Sequence, residues 1–71
     1  MPSFNVNAQK HYAQHLALSI ERNFPGIHTV VIIQNGIRKI EFTTEPMTYT
    51  KIWWFSRGYH EAFHYYKELS R

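Results

Sequence analysis

Seventy-one residues make one domain with a small core, which excludes a catalytic lobe paired with a substrate lobe. Cysteine is absent, so disulfides, thiolate metal centres and cysteine nucleophiles are excluded, and a reducing compartment is the better fit. Eight Lys and Arg face five Glu and no Asp, a formal +3 that favours acidic partners, yet the basic residues nowhere cluster into an arm or a membrane-binding patch.

The chain opens on Met-Pro-Ser-Phe-Asn, without the charged and apolar regions of a secretory signal. Phe4 and Val6 alternate with polar residues and suit a short edge strand. From Ala8 to Phe24, the residues Tyr12, Ala13, Leu16, Ile20 and Phe24 recur at helical spacing, with Asn7 as N-cap and Pro25-Gly26 as the stop. On the side away from Leu16 and Ile20 this helix carries His11, His15, Leu18 and Arg22, a weaker candidate contact surface.

His28–Gln34 and Ile37–Thr44 flank Asn35-Gly36, a dipeptide that readily takes the positive φ angles of a type I′ turn. A two-residue loop sets Gln34 opposite Ile37, Ile33 opposite Arg38 and Val31 opposite Ile40. One face then bears Thr29, Val31, Ile33, Ile40 and Phe42, the expected floor of the core. The other bears His28, Val30, Ile32, Ile37, Lys39 and Glu41, too apolar for a wet face. Val30, Ile32 and Ile37 are therefore candidates for self-association. The run Val30–Ile33 is far too short to span a bilayer, and a soluble cytoplasmic protein is expected.

The last third has two readings. Ile52, Phe55, Ser56, Tyr59, Ala62, Phe63, Tyr66 and Leu69 form one stripe of a long helix. Against that, residues 49–55 are rich in aromatic and β-branched types, and Gly58 costs a helix interior about 1 kcal/mol. The in-phase spacing across Gly58 favours the helix; the alternative is a third strand followed by a helix from Ser56.

His60-Glu61-Ala62-Phe63-His64 matches the H-E-x-x-H pattern of zinc hydrolases, in which two His one turn apart bind the metal and Glu is the general base. The resemblance to zinc peptidases covers five residues. Only seven residues follow His64, too few for the distant third ligand, and Lys67 stands where metzincins place Gly. The match is read as fortuitous, with His60 and His64 pointing to water and no metal or cofactor expected. Single glycines cannot form a phosphate cradle, and a Ser-His-Asp triad is excluded by the missing Asp.

On a continuous helix Trp53, Arg57, His60, His64 and Lys67 share a side, flanked by Trp54 and Tyr65. Trp, Tyr and Arg dominate interface hot spots because they offer large contact area at low entropy cost. The order strand–helix–hairpin–helix and the Phe24-Pro25 break resemble the small DNA-damage-inducible modulators of bacterial recombinase filaments. Their final helix is acidic where this one is basic and aromatic, and the resemblance carries over no residue.

The expected fold is a single α+β domain over residues 1–71, with two helices on one face of a two- or three-stranded antiparallel sheet, in the order (β)αββα or else αβββα. The expected function is non-enzymatic: a regulator or inhibitor, in the manner of phage proteins directed at host machinery, gripping a protein through Trp53, Trp54, Arg57, His60, His64 and Lys67. Nucleic-acid binding is the alternative, with Trp53 or Trp54 stacked on bases and Arg38, Lys39, Arg57 and Lys67 on phosphates. A second copy of the chain is a further candidate partner.

Overall fold

A computed structural model describes residues 1–69, with side chains described for 1–65. Strand β1 (Ser3–Ala8) leads into helix α1 (Ala13–Asn23), the hairpin β2 (Val30–Gln34) and β3 (Ile37–Thr43), and helix α2 (Pro46–Leu69). The sheet order is β1-β3-β2 with both pairings antiparallel, so the second arm of the hairpin is the central strand. This is the α+β fold expected, in its βαββα form. Residues 49–55 lie inside α2, which disposes of the alternative third strand.

The hairpin follows from its turn. Asn35 and Gly36 sit at φ 53° and 78°, the left-handed pair of a type I′ turn. Gln34 consequently pairs with Ile37, Ile33 with Arg38 and Val31 with Ile40, as the sequence implies. Phe4, Val6 and Ala8 of β1 share a face with Ile40 and Phe42, and α1 adds Ala13, Leu16, Ala17 and Ile20. Together with Tyr12 and Ile52 the buried members of these sets form the core.

Three expectations need correction. The first helix does not start after Asn7: Asn7 and Ala8 pair with Lys39 and Arg38, and α1 begins at Ala13 with no side-chain cap. Val6 and Ala8 face inward from the strand and are buried there, at 4% and 8% exposed. Ile33, expected in the core floor, is 63% exposed, because β2 is an edge strand and its hairpin end runs past the helices. Ala62, placed in the buried stripe of α2, is exposed.

α2 starts with Pro46 at its first position, where a missing N–H costs nothing. Its 24 residues span about 36 Å, far more than the roughly 20 Å of a six-residue strand. The N-terminal half lies over β1 and β3, where Tyr49 stacks on Phe4 at 4.3 Å between centroids. The C-terminal half lies against the β1–α1 connection, where Tyr12 meets Tyr59 and Phe63. Phe24, at the other end of α1, meets Phe55, so the two helices run antiparallel. No helix among the described residues is long and apolar enough to cross a membrane.

Candidate functional site

Successive residues of an α-helix are rotated by roughly 100°, which sorts α2 into sides. Ile52 and Ser56 are buried, with Phe55, Tyr59 and Phe63 half-buried beside them. The opposite side is exposed and carries Met47, Lys51, Trp54, Gly58, Glu61 and Tyr65, with Thr50, Arg57 and Ala62 at its margins. Trp54 is 64% exposed at the centre of this stripe and Met47 is 79% exposed at its start. A Cβ added at Gly58 would meet nothing within 4 Å, so the indole of Trp54 stands beside a bare patch of helix backbone.

The stripe read from sequence is thus rotated by about one residue from the exposed one. Trp53 packs against the core and sets its ring edge-to-face with Trp54 at 4.9 Å. His60 and His64 do not point to open water. The Tyr12 hydroxyl hydrogen-bonds Nδ1 of His60 at 2.5 Å, and Gln9 Nε2 lies 3.2 Å from Nε2 of His64. Tyr12 is almost wholly buried, so this bond ties the residue before α1 to the C-terminal half of α2. Burial pushes the Tyr12 hydroxyl pKa up, outweighing a backbone contact with Gln9 that lowers it. Arg57 and Trp54 are where the sequence puts them, in water, and Lys67 lies outside the residues whose side chains are described.

The H-E-x-x-H residues can be judged as a site. The two imidazole centroids are 4.4 Å apart, but one nitrogen of each already has a protein partner. Glu61 is on the exposed flank, accepting from Arg57 Nε at 3.0 Å, and is not poised over the histidines. Among the described residues no group of three His, Cys, Asp or Glu side chains could hold a metal ion. Arg57, His60, Glu61, His64 and Tyr65 line a wide, open depression, and Arg57 and His60 form the ridge between it and a smaller hollow against Val6, Asn7 and Trp53. Such relief suits a flat macromolecular contact better than an enclosed small ligand.

On the sheet, Val30 and Ile37 are exposed and Ile32 half-exposed, so the face opposite the helices is uncovered among the described residues. Sequence reasoning missed the tie between the β1–α1 connection and α2. Its only sequence signal was Tyr12 standing in the buried phase with a polar atom that needed a partner. Among family models, curated proteins and solved structures, none matches the chain.

Proposed function

We propose that this chain is a non-enzymatic binding domain, a regulator or inhibitor that grips another protein through the outward side of α2. The reading rests on Trp54, an indole left 64% in water at the centre of a helix face. Leaving so large an apolar group exposed is unfavourable in a free domain and typical of an interface anchor. The matching partner is a protein surface with an apolar slot for the indole and an acidic rim for Lys51 and the net positive charge. Trp53, His60 and His64 form the wall beneath this face. A cytoplasmic setting belongs to the same proposal, since a cysteine-free domain suits a reducing compartment.

Nucleic-acid binding has less support. Arg57 is engaged by Glu61, and Lys39 is on the opposite face of the sheet from α2, so neither of these two is offered to a phosphate beside the tryptophan. The zinc-hydrolase reading has two engaged imidazoles and no third ligand among the described residues. The deciding experiment is affinity capture from the native host with wild type and Trp54→Ala. The exposed substitution should shift stability by less than about 0.5 kcal/mol while abolishing capture. Capture retained by Trp54→Ala would refute the reading. Capture removed by nuclease, with a steep fall in rising salt, would install the nucleic-acid alternative.

A further inference from the structure

The two edges of the sheet are finished differently. Residues flanking a two-residue hairpin turn form a hydrogen-bonded pair, so Val30, Ile32 and Gln34 direct their backbone groups towards β3. Val31 and Ile33 direct theirs outward. By the same alternation Ser3, Asn5 and Asn7 of β1 face outward, and there the Tyr49 hydroxyl donates to the Asn5 carbonyl at 3.5 Å. Among the described residues the β1 edge is overhung by α2 and the β2 edge is not. Thr29, the next outward-facing residue before Val31, has its N–H bound by the Glu21 carboxylate at 3.0 Å. Glu21 thereby closes the edge at one end and the turn closes it at the other, leaving Val31 and Ile33.

We propose that β2 pairs antiparallel with β2 of a second copy, across a two-fold axis at Ile32, to make a continuous six-stranded sheet. Only this register satisfies all four outward groups of both copies: Val31 exchanges two hydrogen bonds with Ile33 of the second copy, and Ile33 two with its Val31. An axis at Ile33 would set Val31 against Asn35, whose left-handed φ ends the strand. An axis at Val31 would set Ile33 against Thr29, whose N–H is already taken. Nothing on the strand opposes the pairing. Between Arg22 and Arg38 the sequence has no Asp, Glu, Lys or Arg, and β2 lacks the proline or charge that normally guards an edge.

A second copy also answers the exposure of Ile33, which would sit beside Val31 of its neighbour on the helix side. A standard interface takes about 800 Å² from each partner, about 15% of this chain's 5285 Å². A five-residue edge falls short of that, so the two α1 helices close over the seam. Leu18, exposed on α1 one step round from the Glu21 side that meets β2, is placed to fill it. Because α2 lies over β1, the two Trp54 faces would stand at opposite ends of the sheet, with about 24 Å between the outermost strands.

The cysteine-free sequence makes the test clean. At the axis, Ile32 faces Ile32 as a non-hydrogen-bonded pair with Cα atoms about 4.5 Å apart, within disulfide reach. Val30 would be displaced from its symmetry mate by about 13 Å along the strand. Under mild oxidation Ile32→Cys should form a covalent dimer at least about tenfold faster than Val30→Cys, because pairing raises the local thiol concentration. Sedimentation should give a wild-type dimer and an Ile32→Lys monomer with an unchanged circular dichroism spectrum. Equal crosslinking rates, a wild-type monomer at every concentration, or a dimer indifferent to Ile32→Lys would each overturn the proposal. The wild-type monomer would leave the edge to a strand of another protein.

Discussion

Gly58 is the residue on which the continuity of α2 can be tested by a gain rather than a loss. It lies near the middle of a 24-residue helix, far from either end. Its φ is not in the left-handed region, and an added Cβ would meet no neighbouring atom within 4 Å. Gly58→Ala therefore brings neither clash nor new packing, and its effect reduces to backbone freedom lost by glycine on folding. That difference is about 0.8–1.0 kcal/mol in favour of Ala. A 71-residue domain with 0.05–0.15 kcal/mol per residue has roughly 4–10 kcal/mol in total, so the gain is a visible fraction. Thermal melting should show a rise of about 4–8 °C. A neutral or destabilising result would mean that the helix breaks at Gly58, and the outward stripe running from Met47 to Tyr65 would lose its basis. The same variant also separates stability from binding: a methyl beside Trp54 should weaken the proposed partner contact while the domain becomes harder to melt.

Two further outcomes follow from backbone and burial. Gly36→Val forces a β-branched residue to φ near 78° in open space, so the cost is conformational and should exceed about 1 kcal/mol in thermal melts; an unchanged midpoint would remove the register on which both sheet faces depend. Tyr12→Phe keeps the buried ring and loses the His60 bond, a cost of about 1 kcal/mol at neutral pH. Because the folded chain holds the Tyr12 proton more tightly than the unfolded one, its contribution is in full below the ordinary pKa of about 10 and is lost as pH climbs through the raised value. Denaturant melts at neutral and strongly alkaline pH should show a larger fall for wild type than for Tyr12→Phe, and equal falls would contradict the burial.

The hairpin was legible because Asn35-Gly36 permits few turn geometries, and a two-residue loop leaves no freedom in register. Helix α2 was legible because its apolar residues stay in phase across Gly58. The start of α1 was not, since Asn7 followed by a helix-compatible run looks like a cap, and only pairing with Lys39 and Arg38 draws Asn7 and Ala8 into β1. Ile33 failed for a related reason: alternation assigns a face but not how far the covering helices reach. The exposed side of α2 was missed by a single residue's rotation, because Trp53 and Trp54 are chemically alike and only contact with the core tells them apart. Part of that contact comes from 48 positions away, where Tyr12 bonds His60.

The place of β1 in the sheet has a consequence for how the chain folds during synthesis. Ser3 pairs with Thr43, so the earliest-made of the three strands has no partner until the hairpin is nearly complete. At about 5–20 residues per second the wait lasts seconds, whereas a hairpin closes in microseconds. The local elements, β2–β3 with α1, can therefore assemble first, and β1 must then close a long loop to reach the already formed β3. Until it docks, the even-numbered residues of β3 present a second open edge to the surrounding solution, this one in the middle of the finished sheet. β1 thus completes the fold by covering an edge that stays open to mispairing while the chain is incomplete.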